Sequence, residues 1–215
     1  IVAETGGCMV WGGAVDLSPV DDKIIRAETP LSLDPASQLI ASVLSRVGET
    51  IKNKGNLNSE IGLPMTVLDV SPRHEYAVIE MGINRVGEMD VLTDILRPQY
   101  TVITNIGTAH IGPLGGREGI AREKGKALEV LPEEGRGFVP HDCNRREYLE
   151  SICRAPIIPF GLTESGEAAP EGVERVENLG FDGWKIRYEG EEFRLSLMGE
   201  HNLSNALAAI CVGRY

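Results

Sequence analysis

The sequence has few basic residues for a chain of 215 amino acids. Lysine and arginine together number 21 against 32 aspartate and glutamate residues, so the formal net charge is −11. A chain this acidic repels nucleic acids and anionic membrane surfaces, and the composition excludes both as partners. An anionic small ligand stays possible, because helix N-termini and a bound metal ion can hold phosphate within an acidic protein.

Cysteine is also scarce, and no apolar run is long enough to span a membrane. The four cysteines, Cys8, Cys143, Cys153 and Cys211, form no C-x-x-C pair, which favours reduced thiols in a cytoplasmic protein. There is no signal-peptide pattern, internal repeat or low-complexity tract. The hydrophobic share of 42% and the charged share of 25% are those of a soluble globular protein. The length allows one substantial core, or one domain with a small appendage.

Strand and helix patterns alternate along the chain. Helical periodicity and capping residues predict helices at 35–46, 86–97, 117–131, 144–153 and 202–212. Short apolar runs predict strands at 24–28, 76–81, 100–104, 137–139 and 156–160. Alternating residues at 184–188 and 193–197 around Glu189-Gly190 predict a hairpin. We therefore expect an α/β fold, with helices on both faces of a mostly parallel sheet and a small antiparallel hairpin before the last helix.

Chemically active residues follow two of the predicted strands. Glu80 ends the strand at 76–81, and Asn105 and His110 follow the strand at 100–104. The strand–helix–strand order predicts a parallel pair, whose carboxyl ends would bring these residues to one edge of the sheet. A carboxylate and an imidazole beside a nucleotide suggest Mg²⁺ and phosphoryl chemistry. The alternatives are that Glu80 caps the next helix and that His110 is an ordinary loop histidine.

Four segments in register resemble the Mur ligases of peptidoglycan synthesis, and among them the branch that adds D-alanyl-D-alanine. They are GNLNSEIGLP at 55–64, IEMGIN at 79–84, TNIGTAH at 104–110 with GIAREK at 119–124, and GEHNLSNALAA at 199–209. The resemblance covers roughly residues 36–215. It implies the P-loop-related fold of the Mur ligase central domain.

The resemblance also implies an activity, namely an ATP-dependent acid–amino-acid ligase of cell-wall synthesis. In the family, ATP phosphorylates the carboxylate of a UDP-MurNAc-peptide, and the amine of an amino acid or dipeptide then attacks the acyl phosphate to form a peptide bond. The implied cofactors are ATP and Mg²⁺.

Site residues follow from the same resemblance. Glu80 and His110 correspond to Mg²⁺ ligands, and Lys124 corresponds to a lysine that is carried as a carbamate and helps to hold a second Mg²⁺. Glu80, His110 and Lys124 are therefore the candidate catalytic residues. The candidate cofactor-binding residues are Asn105, Asn202 and Asn205; the candidate substrate-binding residues are Asn56 and Asn58. As alternatives, Lys124 is a solvated cation of a charged helix, Asn56 and Asn58 are turn formers, and Asn202 is the N-cap of the last helix.

The sequence departs from the family at the phosphate-binding loop. An ungapped alignment places that loop on residues 28–35, where Leu33 and Asp34 replace the expected lysine and threonine and no glycine is present. Pro30 and Pro35 each lack a backbone N–H donor, and negative charge stands where the triphosphate would lie. Because phosphate positioning is the main source of catalysis in phosphoryl transfer, we expect no independent turnover.

The domain organisation expected from the resemblance is incomplete. Residues 1–23 are interpreted as the remnant of an N-terminal UDP-sugar-binding domain, residues 24–215 as the central ATP-binding domain, and the C-terminal domain as absent. Two alternatives to a ligase domain are a noncatalytic binding or scaffold paralogue and a subunit whose protein partner supplies the missing domains. The amino-acid substrate is not predictable, because its specificity lies largely in the C-terminal domain.

Overall fold

The computed structural model describes residues 35–215 together with the backbone of two short strands, β1 (Gly7–Trp11) and β2 (Ile24–Ile25). The helices are α1 (Pro35–Leu44), α2 (Gly62–Leu68), α3 (Glu88–Leu96), α4 (Gly116–Glu129), α5 (Arg146–Ile152) and α6 (Glu200–Arg214). The remaining strands are β3 (Thr50–Lys52), β4 (Tyr76–Met81), β5 (Tyr100–Ile103), β6 (Arg136–Pro140), β7 (Ile157–Phe160), β8 (Val173–Asn178), β9 (Trp184–Tyr188) and β10 (Glu191–Leu195). The predicted α/β class is confirmed.

The larger sheet has its strands in the order β3-β4-β1-β5-β6-β7. Strand β3 pairs in parallel with β4, and β6 pairs in parallel with both β5 and β7. Strand β1 lies between β4 and β5 and is antiparallel to both. The expectation that β4 and β5 form an adjacent parallel pair is therefore wrong. They still run in the same direction, so their carboxyl ends lie at the same edge of the sheet.

Alternation along the central strands separates two hydrophobic cores, one on each face of the larger sheet. Val78, Val102 and Phe138 pack with α1 and α6, whereas the residues that follow each of them pack with α2 to α5. Side chains in a strand point alternately to opposite faces, so two consecutive apolar residues in each of these strands serve the two cores. Helices cover both faces of the sheet, as predicted.

The predicted hairpin is part of a second sheet with the strand order β2-β10-β9-β8. Strands β9 and β10 form the hairpin, β8 pairs antiparallel with β9, and β2 pairs in parallel with β10. Trp184, Ile186 and Leu195 of this sheet are buried in the core that contains α1 and α6. The hairpin therefore packs against the same core as α1 and α6.

No helix within residues 35–215 is long and apolar enough to cross a lipid bilayer.

Candidate functional site

Glu80 lies at the carboxyl end of β4 and is almost completely buried, with 7% of its surface exposed. One carboxylate oxygen, Oε1, accepts a hydrogen bond of 2.5 Å from Nδ2 of Asn58. A buried carboxylate needs hydrogen bonds or a cation to offset its desolvation. Glu80 does not cap the next helix, α3, because the Gly87 and Met89 N–H groups there bond a different carboxylate. The helix-capping alternative is therefore wrong.

Asn58 reaches Glu80 because the loop after β3 lies against the end of β4. The backbone carbonyl of Asn58 accepts a 2.8 Å hydrogen bond from the N–H group of Gly82. A Cβ atom at position 82 would stand 2.9 Å from Cγ of Asn58, closer than side-chain packing allows. Glycine at this position lets the two segments approach. The structure thus brings Asn58 and Glu80 together, while Asn56 lies exposed in the turn before them.

Lys124 is a buried amine on α4, with 1% of its surface exposed. Its Nζ atom donates a 2.8 Å hydrogen bond to the backbone carbonyl of Asn105, which lies two residues after the end of β5, in the same strand-to-helix connection as His110. Burial lowers the pKa of Lys124 to about 8, and the electrostatic interaction with Cys143 acts in the opposite sense. About one tenth of the amine is therefore neutral at pH 7, far more than for an ordinary lysine. The alternative of a solvated surface cation is wrong.

Glu123 was not predicted as an important residue, yet it fixes α4 against α3. It is 1% exposed, and its Oε1 atom accepts hydrogen bonds from the N–H groups of Gly87 (2.8 Å) and Met89 (2.9 Å) at the start of α3. Its Oε2 atom accepts a 2.8 Å bond from Lys126. A carboxylate at a helix N-terminus satisfies free N–H groups and interacts favourably with the helix dipole. The signal in the sequence was helical spacing, because Glu123 and Lys124 share a face with the buried Ile120 and Ala127.

Asn105 and His110 occupy the connection between β5 and α4. The Asn105 side chain is half-buried, and its Oδ1 atom is buried without a hydrogen-bond partner. His110 is exposed and has a φ of +55°, in the left-handed region that residues other than glycine rarely adopt. An exposed imidazole on a turn is accessible to a metal ion, and the unpaired amide oxygen offers a further acceptor. Coordination of Mg²⁺ by Glu80 and His110 together stays a prediction.

Asn202 lies inside the first turn of α6 and not at its N-cap, which is Gly199. The N-cap alternative is therefore wrong. Nδ2 of Asn202 donates a 2.8 Å hydrogen bond to the Met198 carbonyl, while Oδ1 is buried without a partner in a side chain that is 7% exposed. A buried acceptor usually has a hydrogen-bond partner, because leaving it without one costs about 1–3 kcal/mol. Asn205, on the same helix, is half-buried.

One further expectation concerns the phosphate loop. Residues 28–34, on which the degenerate phosphate loop was placed, lie outside the described residues. Asp142 and Cys143 follow β6, where Asp142 is exposed and burial raises the pKa of the Cys143 thiol. Cys143, Cys153 and Cys211 are free thiols, as predicted for these three positions.

The residues near Glu80 fit a magnesium site in which the protein supplies only a few of the ligands. Within residues 35–215 no group of three or more His, Cys, Asp or Glu side chains is arranged to hold a metal. Magnesium is usually bound by one or two carboxylates together with water and substrate phosphates, rather than by a full protein cage. A single buried carboxylate such as Glu80, with an amine that can become anionic, is therefore compatible with this ion.

Comparison with known proteins assigns the chain to a family. Residues 36–213 match the model of the Mur ligase middle domain. The chain belongs to the Mur ligase family. A UDP-N-acetylmuramoyl-tripeptide–D-alanyl-D-alanine ligase from Treponema pallidum is 38% identical over 176 residues, and the corresponding Escherichia coli ligase is 32% identical over 185 residues. These alignments cover 81% and 80% of this chain but 37% and 38% of the relatives, so the chain spans little more than a third of their length.

Solved structures give the same family. A crystal structure of MurF from Acinetobacter baumannii matches with a TM-score of 0.72 and 33% identity, over 84% of this chain and 40% of that one. MurF ligase from Thermotoga maritima, solved in complex with ADP, matches with a TM-score of 0.69 and 25% identity, over 84% of this chain and 42% of that one. The chain is therefore a Mur ligase middle domain related to MurF, a ligase of peptidoglycan synthesis.

Proposed function

We propose that the chain is the magnesium- and adenine-nucleotide-binding part of a ligase that joins D-alanyl-D-alanine to a UDP-MurNAc-peptide. In this proposal Glu80 and His110 bind Mg²⁺, and Asn105, Asn202 and Asn205 contact the nucleotide. Asn56 and Asn58 face the peptide substrate. The similarity to MurF structures, one of which contains ADP, supports the nucleotide assignment.

The observation that carries the proposal is the burial of Lys124, with the lowered pKa that this burial causes. A lysine that only supported the fold would gain nothing from having its charged head buried at 1% exposure. With a pKa of about 8, about one tenth of the amine is neutral at pH 7. After the ammonium group has lost one proton, the neutral nitrogen can attack carbon dioxide. The N–C bond forms as one C=O π bond opens onto oxygen, and a second proton leaves the nitrogen, so that the cation has become a carbamate anion. The Asn105 carbonyl holds Nζ in place for this step.

The resulting anion would add its negative charge to that of Glu80 for holding a metal ion. A bound Mg²⁺ would neutralise phosphate charge and orient the transferred phosphoryl group. Asn58 keeps the Glu80 carboxylate in one orientation, and Glu123 keeps α4 in place. The unpaired Oδ1 atom of Asn202 can accept a hydrogen bond from an amino group such as that of adenine. Each of these groups binds or orients; none requires the chain to turn over substrate by itself.

We do not propose independent ligation. In the sequence, residues 28–35 have neither glycine nor lysine, the residue types from which the usual phosphate cradle is built. Nucleotide binding should consequently rest on the adenosine contacts and the metal, and it should be weak. Catalysis would require phosphate contacts and substrate-binding domains from elsewhere, in the same polypeptide or in a protein partner.

Titration with Mg-ADP, followed by ¹H–¹⁵N NMR, tests the proposal. We expect weak binding whose chemical-shift changes map to the ends of β4 and β5 and to the start of α6. Asn202→Ala should weaken ADP binding about tenfold, because a buried hydrogen bond is lost. Lys185→Met, in the second sheet, is the control and should leave ADP affinity unchanged. Absence of ADP binding, or equal affinity in the Asn202 variant, would contradict the nucleotide assignment.

A further inference from the structure

We propose that Asn53 is a positioning residue of this site, which holds Glu80 and Asn58 in the arrangement that a metal ion requires. The metal-binding purpose of this arrangement rests on the proposed function. The hydrogen bonds that form it do not depend on that function. Asn53 directly follows β3, is 8% exposed, and stands just before the loop that carries Asn56 and Asn58. Neither its type nor its position marked it as part of the site.

The side-chain amide of Asn53 bonds both backbone groups of Glu80. Oδ1 accepts a 2.5 Å hydrogen bond from the N–H group of Glu80, and Nδ2 donates a 3.3 Å bond to the Glu80 carbonyl. Nδ2 also donates a 2.6 Å bond to the carbonyl of Leu57. Only one orientation of the amide satisfies all three groups, since two acceptors need the NH₂ end and one donor needs the oxygen.

These bonds continue the sheet beyond the point where β3 ends. Backbone pairing between β3 and β4 stops at Lys52 opposite Val78. Two residues further along β4, the Asn53 side chain takes the place of a neighbouring strand by bonding the N–H and carbonyl groups of Glu80. Without it, two buried backbone groups would lose their partners, and the end of β4 would be free to shift.

Through its bond to Leu57, the Asn53 side chain also fixes the position of the loop. It fixes the carbonyl of the residue before Asn58, and Asn58 in turn donates to Oε1 of Glu80. Asn53 therefore fixes both the backbone of Glu80 and the loop, and the loop in turn fixes the carboxylate of Glu80 through Asn58. Glu80 would hold a metal ion through its carboxylate group, which Asn58 keeps in one orientation. Groups that orient a metal ligand in this way typically affect metal affinity roughly 10–100-fold.

Two measurements on the whole chain test this role. The first is the hydrogen-exchange rate of the Asn58 side-chain amide, measured by NMR without any metal. The second is affinity for Mn²⁺, a paramagnetic probe for the magnesium site, measured by water-proton relaxation. The variants are Asn53→Ala and Asn53→Asp; the second nearly keeps the size and can still accept from the Glu80 N–H group. Thr93→Val is the matched control, because Thr93 is buried and its hydroxyl group donates to backbone carbonyls of its own helix, α3.

We expect exchange at the Asn58 amide to accelerate about tenfold in both Asn53 variants, because a bond to a charged group is weakened. We also expect Mn²⁺ affinity to fall roughly 10–100-fold in Asn53→Ala. Thr93→Val should change neither the exchange rate nor the Mn²⁺ affinity, even if it lowers the unfolding midpoint as much as the Asn53 variants do. Unchanged exchange at Asn58 in both variants would overturn the inference, whatever the metal does. Faster exchange in a chain that binds no Mn²⁺ would support the positioning role and would overturn the proposed metal site instead.

Discussion

Replacement of Lys124 by methionine should change how the stability of the chain depends on pH. Burial lowers the pKa of Lys124 to about 8 in the folded chain, whereas its ordinary value of 10.5 applies after unfolding. At about 1.4 kcal/mol per pH unit, the buried charge destabilises the folded state by about 3 kcal/mol below pH 8. Between these two pKa values the unfolded chain binds more protons than the folded chain. The wild type should therefore gain about 3 kcal/mol relative to the methionine variant as pH rises through this interval.

The measurement is urea unfolding of both proteins at several pH values between about 7 and 11, in buffers free of carbon dioxide so that no carbamate forms. Comparing the two proteins cancels the titration of other groups. Lys126→Met is the control: burial opposes its charge, but bonds to Asp90 and Glu123 outweigh burial and raise the pKa of Lys126. Relative to that variant, the wild type should lose stability as pH rises through the pKa of Lys126. Parallel curves for the wild type and the Lys124 variant would refute the argument.

Three further predictions concern neighbouring contacts. Glu123→Ala should lower the free energy of unfolding by about 2 kcal/mol, because two N–H groups at the start of α3 lose their acceptor, and Glu123→Gln should retain more than half of that stability in urea denaturation. Gly82→Ala should accelerate exchange at the Asn58 amide, because the added Cβ displaces that side chain, and unchanged exchange would contradict the close approach. Glu80→Gln should weaken Mn²⁺ binding at least about tenfold in relaxation measurements, since a neutral amide replaces the charged ligand; equal affinity would remove Glu80 from the metal site.

Much of the fold could be predicted because long elements with clear periodicity dominate it. Strand β4 was predicted with its observed bounds, and α4 within two residues of its ends, since their apolar patterns and flanking glycines or prolines are strong. Short elements were missed: β3 has three residues, and β8 is an edge strand rich in charge. The position of β1 between β4 and β5 is a long-range pairing that local sequence patterns do not encode.

The candidate site was predictable where a family motif names a residue, and less so where a contact defines its role. Glu80 and Lys124 were found through motifs, but the burial that gives Lys124 its low pKa is a tertiary property. Asn53 and Glu123 were overlooked because each acts through bonds to backbone groups more than 25 positions away in sequence, 27 for Asn53 to Glu80 and 34 for Glu123 to Met89. Nothing in the local pattern distinguishes such residues from a turn former or a surface carboxylate.

The most direct test of the central claim is to locate the metal in the complex with Mn-ADP by paramagnetic broadening of NMR signals. If the carboxyl ends of β4 and β5 form one metal-nucleotide site, low levels of Mn-ADP should broaden the backbone signal of Glu80, the imidazole signal of His110 and the side-chain signal of Lys124 together. The second sheet should be unaffected. Broadening that includes Glu80 but leaves His110 and Lys124 sharp, or that appears only on the acidic surface, would contradict the account.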